Sequence, residues 1–482
     1  MRLIVENRFA LLLLVVIALA ALFGVATVTR PPADATSSGA DPVVTSVESA
    51  VRVCPPMQGE QRASRLSAMA PGRDEEGGTL LVGPNETDAT ALDETRSVGQ
   101  PWGVAVTDIE RHTVVKATGA MAAGLEVTQT TIDTQEADRP AMTELRCGEP
   151  SLSTWFVAPG GELLDELRVF LANVDDTSAT ANIDLYATDG PAFSEATRGI
   201  SVPAHGEEKV DLTGLVGSTD VVAVHVRTNS GRVASSVLTD GPGAAMDWAP
   251  PTAAPATRHV IPGVPPGNGP RTLIVAAPGD SAAAISVRVL TPEGEVENET
   301  LEGFSVPPAA AASLDLEGPL GKQPGTVVVE SQQPILAGVA MRRGDDDPDM
   351  AYATAVDPLD GRLNGRATVP AAPEGTTTSL VFGAVGESAT VRVTPVSSEG
   401  EQGDTEEVTV EPDHTVMPEL SVTEGGNGWI VDLAEASGPV YAARQVRRES
   451  GEEHATSMQS LRPAPMRLTL PSVWNTLSST VP

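Results

Sequence analysis

Asp345, Asp346, Asp347 and Asp349 crowd four carboxylates into five positions of the stretch SQQPILAGVAMRRGDDDPD, residues 331–349. Carboxylates this dense suggest a divalent cation, since calcium takes six to eight oxygens, several of them from side chains of this type. The run lacks the alternating D-x-D-x-D-G spacing of a calcium loop, and Pro348 stiffens it. It also falls between two alternating apolar stretches, 335–342 and 350–356, which makes it a hairpin tip with a solvated acidic end. A cation site at these four residues is the alternative.

Other reactive residue types form no pattern. The histidines at 112, 205, 225, 259, 414 and 454 have no H-x-x-x-H or other metal spacing, and neither G-x-S-x-G nor H-E-x-x-H occurs. Glycines such as those of PGNGP (266–270) flank prolines and mark turns, not a phosphate cradle. Acidic residues are too common to single out a glycosidase pair. Trp102, Trp155, Trp248, Trp429 and Trp474 could stack on sugar rings, but Trp155 and Trp429 sit inside predicted strands and read as core. Asn85-Glu86-Thr87 and Asn298-Glu299-Thr300 match the glycosylation acceptor pattern at about chance frequency. The expectation is a protein with no catalytic residues and no cofactor.

The elements that must hold these residues begin with an apolar segment. FALLLLVVIALAALFGVATV, residues 9–28, carries no charge over a length that spans a bilayer's hydrocarbon core, at about 30 Å. Arg2 and Arg8 precede it, so residues 1–8 stay in the cytoplasm and the rest is exported. The apolar run exceeds that of a cleaved signal, which favours an uncleaved anchor over a secreted protein. Residues 29–50 form a Pro/Ala/Ser linker. Cys54 and Cys147 then lie outside the membrane, where an even count reads as one disulfide, with two buried thiols as the alternative. The net charge of −34 repels nucleic acid phosphates and anionic lipid, so no nucleic acid partner is expected.

The chain beyond the linker repeats. QPILA (333–337) matches GPVYA (438–442), with further copies in NSGRVASSVLTDG (229–241) and TGAMAAGLEVTQT (118–130); equating Met121, Val233, Ile335 and Val440 gives spacings of 112, 102 and 105. A module-opening strand reads TLLVGPNE (79), TWFVAPGGE (154), TLIVAAPGD (272) and SLVFGAVGE (379). Alternating strands at 181–190, 285–294 and 390–400 each end in an acidic residue and a glycine. Apolar residues recur with period two, as half-buried strands require. The expected fold is therefore all-β: four tandem antiparallel β-sandwich modules of the immunoglobulin or fibronectin type, at 51–150, 151–250, 251–361 and 362–465, then a strand and tail at 466–482. A linear string is preferred; a closed propeller-like ring is the alternative, in which RLTLPSV (467–473) pairs back on the first module.

A basic N-terminus, one anchor and repeats of the form S/G-x-P-[VI]-x-A, best seen in SQQPILAG (331–338) and ASGPVYAA (436–443), resemble an uncharacterised family of actinobacterial envelope proteins defined only as a domain of unknown function. NSGRVASS (229–236) lacks the proline. The resemblance implies an extracytoplasmic protein of the cell envelope and carries no catalytic residues. Members are often encoded near a glycosyltransferase, which points to envelope glycan, or a membrane enzyme acting on it, as partner. The expected role is a non-enzymatic binding or scaffold module, with an accessory subunit of an envelope glycan enzyme as the alternative.

Overall fold

The computed structural model describes residues 13, 15–22, 43–58, 62–72, 77–87, 89–106, 110–133, 142–242, 245–342, 349–420, 428–450 and 453–470. They belong to two compact units, 1–45 with 468–482, and 46–467. Residues 13 and 15–22, the only described part of the expected anchor, are helical. Among the described residues no helix is long and apolar enough to cross a membrane. Val43–Ser46 and Arg467–Leu470 form a two-stranded sheet, so the surplus C-terminal strand pairs with a segment that lies before the first predicted module.

The larger unit is nearly all β, and no sheet closes into a barrel. One strand order recurs along it. In one sheet Ser153–Pro159 pairs with Val221–Ser230, which pairs with Ala179–Ala187 and then Gly190–Ala192; in its companion Glu207–Asp211 pairs with Glu166–Ala172, then Ala234–Gly241, then Ala245–Ala249. Sheets of the same order are centred on Thr113–Gly119 and Glu126–Asp133 before it, and on Gly428–Leu433 and Tyr441–Ser450 after it. Between them, the 18-residue strand Gly325–Arg342 serves both sheets at once. Its residues 326–331 pair with Ala283–Thr291, and 336–341 with Arg271–Ala277. The alternating stretch expected at 335–342 is thus the second half of a longer strand that passes from sheet to sheet.

Each sheet pair encloses a core supplied by alternating residues. Ile285, Val287 and Val289 of Ala283–Thr291 face inward against Val327, Val329, Leu273 and Val275. The predicted acidic-glycine turns fall where this alternation ends: Gly190, Gly294 and Gly400 have φ of 113°, 106° and 86°, a region that favours glycine. These three copies occupy equivalent strands. The predicted opening motif does not. Gly78–Pro84 and Ser153–Pro159 belong to sheets of the first kind but hold different places in them, whereas Arg271–Ala277 and Thr376–Ala384 lie in sheets of the second kind. An apolar run followed by a turn marks a buried strand without saying in which sheet. Met121 is likewise out of register: Leu125, which directly precedes Glu126–Asp133, holds the place that Val233 holds before Ala234–Gly241.

Successive sheet pairs pack face to face, and so do the last and the first. Val53 and Val114 meet Ala172 and Ala234; Val157 lies against the Gly338 backbone; Val260 and Val328 meet Val385; and Met69 meets Val396 and Ile430. The edge strands Met142–Arg146, Ala245–Ala249, Met350–Thr354 and Glu453–Leu461 pack on one another in cyclic order. A linear string is therefore not what forms. The reason is apolar surface on both faces of the sheets: in a line, Val396 and Ile430 at one end and Met142 at the other would stand in water.

Candidate functional site

The cyclic packing brings single polar and charged residues from distant strands to one buried place. Glu144, Asp247, Asp349 and Ser457 come from or directly precede the four edge strands, and Arg444 from the strand beside the last of them. Glu144 is 0% and Arg444 1% exposed, and their side chains meet at 3.0 Å although 300 residues separate them. Thr130 donates to the same Glu144 Oε2 at 2.8 Å, and Arg444 donates to the Pro370 carbonyl at 2.8 Å. Gln459 and Ser457 donate to the Glu144 carbonyl at 2.7 and 3.1 Å. Burial pushes the Glu144 carboxyl up and the Arg444 guanidinium down, and each ion opposes the other's shift.

Asp247 receives its own chain's Trp248 N–H at 2.8 Å and the Ser457 hydroxyl at 3.1 Å. Burial, reinforced by the charge of Asp349, holds Asp247 well above the usual carboxylate range. Asp349 accepts the Thr456 N–H at 2.8 Å. It is 7% exposed, so this member of the acidic run is not part of a solvated tip. Asp349 is buried because Met350–Thr354, which it precedes, is one of the four edge strands that pack on one another. Asp345, Asp346 and Asp347 lie outside the described residues. Among the described residues no group of three or more His, Cys, Asp or Glu is placed to hold a metal. A paired, proton-binding carboxyl such as Asp247 resembles a general acid, but at 1% exposure no substrate reaches it.

A second constellation lies on the sheet of Ser153–Pro159. Register places Trp155 opposite His225 and His225 opposite Asp184, so the three share one face. Ser153 Oγ is 2.9 Å from His225 Nε2, and His225 Nδ1 is 3.8 Å from Asp184 Oδ2. The residue types are those of a hydrolytic triad; the geometry is not. At 3.8 Å Asp184 does not hydrogen-bond the imidazole, and its oxygens are held by Arg198 and Arg227. His225 stacks on Trp155 with ring centroids 3.6 Å apart, and burial pushes its pKa down to about 4, too low for an effective base at neutral pH. The group stiffens a sheet face. Sequence spacing did not reveal it, because Ser153, Asp184 and His225 meet only through strand register.

Cys54 and Cys147 form the expected disulfide. Trp155 and Trp429 are buried as expected, at 8% and 3% exposure. Asn85 is 2% exposed and donates to the Asn173 carbonyl at 3.1 Å, so it is no glycan acceptor in the folded chain. A cleft of about 660 Å³ opens beside Thr378, Thr415, Met417, Pro418 and Trp429.

A family of unknown function, DUF5719, has a model that matches residues 103–421, well over half of the chain. The chain belongs to this family. No curated protein matches it. Among solved structures it is similar to a crystal structure titled Thermotoga maritima 1070, at 19% identity over 21% of this chain and 93% of that one, with a TM-score of 0.19. It is similar also to BcpA, the major pilin subunit of Bacillus cereus, at 10% identity over 66% and 95% of the two chains and a TM-score of 0.13. An anti-sigma factor domain-containing protein from Clostridium clariflavum shares 7% identity over 83% and 98%, with a TM-score of 0.12. Similarities this low carry no argument about fold or activity. Membership of DUF5719 assigns no chemistry, and the reading rests on the residues themselves.

Proposed function

We propose that the protein is a non-enzymatic scaffold of an actinobacterial cell envelope, anchored by residues 9–28 and presenting four immunoglobulin-like modules closed into a ring. The module reading is supported by the recurrence of one strand order in paired sheets. The anchor reading rests on the uncharged run and the arginines before it. One observation carries the scaffold reading: the buried ionisable groups Glu144, Arg444, Asp247 and Asp349 are engaged with one another and with Thr130, Ser457 and Thr456, on edge strands that meet in cyclic order. Such charges fix an arrangement rather than process a substrate. A closed frame offers its outward loops as binding surface, with envelope glycan, or an enzyme that acts on it, as the partner class.

The test is cross-linking of the full chain in native envelopes, set against a chain lacking residues 1–30. The reading predicts that the full chain fractionates with membrane and the truncated one does not, and that both are recovered with wall glycan or with an envelope protein. A full chain found in the cytosol, or turnover of glycan by the purified protein, would overturn it.

A further inference from the structure

The seam between the last and first sheet pairs holds a small cavity that its own side chains do not satisfy. Thr128, Arg146, Thr368, Arg444, Arg462 and Glu126 line it. It leaves about 20 Å³ to the centre of a water-sized sphere, enough for one water or one ion of similar size. Among the described residues four donors of the lining make no hydrogen bond; Arg146 Nε is still ion-paired with Glu126 at 2.7 Å, which leaves Thr128 Oγ1, Thr368 Oγ1 and Arg444 Nε with no partner at all. Their residues are 3%, 2% and 1% exposed. A buried polar group without a partner calls for an occupant, since leaving it unmade costs about 1–3 kcal/mol.

The charges around the cavity indicate what the occupant is. Arg146 is paired with Glu126 at 2.7 Å and Glu149 at 3.3 Å, Arg52 with Glu149 at 3.0 Å, and Arg444 with Glu144 at 3.0 Å. Among the described residues Arg462 donates to the Pro251 carbonyl at 2.8 Å, and its counter-charges are Glu126 and Glu149, already shared, and Asp357, of which Glu149 and Asp357 are exposed. Burial and the charge of Arg146 together push the Arg462 pKa down to about 10. The charged residues that line the cavity itself are three arginines, Arg146, Arg444 and Arg462, and one glutamate, Glu126, while Glu144 and the exposed Glu149 and Asp357 supply counter-charge from outside the lining. Positive charge therefore predominates at the cavity wall, beside a space of one small ion and three free donors.

We infer that this cavity is a site for a monovalent, monatomic anion of halide size, chloride in its natural setting, held by the Thr128 and Thr368 hydroxyls and the Arg444 Nε–H. Thr128 comes from Glu126–Asp133, Thr368 from Arg366–Val369 and Arg444 from Tyr441–Ser450. The ion therefore bridges the first and last sheet pairs and ties closure of the ring to the halide in the medium. Cations are excluded by the arginines, and carboxylates or phosphate by size. The inference does not depend on the scaffold reading.

The experiment is thermal unfolding of the full chain in detergent, in sodium chloride and in sodium gluconate at equal ionic strength, so that general screening is matched. The expected result is a higher Tm in chloride, rising with its concentration as linkage to a folded-state site requires. Thr368→Val and Thr128→Val each remove a donor with little change of shape and should abolish the chloride increment while leaving the gluconate Tm nearly in place. Crystals grown in bromide should show an anomalous peak among Thr128, Thr368 and Arg444, a readout that needs no variant. Equal melting in the two salts, or a bromide crystal with a water only in the cavity, would overturn the assignment.

Discussion

The seam between the second and third sheet pairs and the seam between the last and the first do the same geometric work with opposite chemistry. At the former, Val157 packs on the Gly338 backbone within one apolar cluster that also takes in Ile274, Ala276 and Leu336. At the latter, a small apolar patch of Met69, Val396 and Ile430 stands beside Glu144, Arg444, Arg146 and Gln459. Apolar burial is non-directional and tolerates sliding. Buried ions tolerate very little, because a displaced partner leaves an uncompensated charge. A chain that must close on itself across some 300 residues gains specificity at the closing contact from such a pair, and the cost is a salt sensitivity that the Val157 and Leu336 contact does not share.

That contrast can be broken most strongly at the ionic seam. Arg444→Ala strips the partner from buried Glu144 and should cost about 3–5 kcal/mol in denaturant unfolding, whereas Glu144→Leu with Arg444→Met together should be near neutral or stabilising. At the apolar seam, Leu336→Ala should cost about 2–5 kcal/mol, and its cost should not change with salt. A comparable salt dependence for both would erase the distinction.

Asp247, on the edge strand of the second sheet pair and coupled to Asp349 of the third, bounds the contrast by adding a pH dependence where the edge strands meet. Its folded pKa is raised by burial, so the folded state binds the extra proton. Its contribution is then fully present below the usual carboxylate range and is lost as pH rises through the raised value. Asp247→Asn should flatten that decline in a stability–pH profile measured upward from pH about 4. The smallest effect is expected at His225, away from the axis. Its pKa is depressed to about 4, so its contribution is present above the ordinary imidazole value and is lost as pH falls toward about 4. His225→Phe keeps a ring over Trp155 and should remove that acid limb alone.

Much of the fold was legible in sequence, for local reasons. The strands ending at Gly190, Gly294 and Gly400 were read in correct correspondence because a turn with positive φ and a period-two core face are both local properties. The disulfide followed from an even count. What was misread depends on long-range contact. TLLV, TWFV, TLIV and SLVF look alike because each is a buried strand, yet register distributes them over both kinds of sheet. Glu144, Asp247 and Arg444 sit in alternating strands at positions that resemble a solvated face. Only closure of the ring covers that face, and no short window of sequence reports closure. Asp349 was misplaced for the same reason.

The most direct test of a ring closed by an ion pair is a double-mutant cycle on Glu144 and Arg444, with stability measured for the parent, Glu144→Gln, Arg444→Met and the double variant. The closed arrangement predicts a coupling energy of about 1–3 kcal/mol between two residues 300 positions apart. Additive losses, with no coupling, would mean that the first and last sheet pairs do not meet, and the closed ring would be wrong.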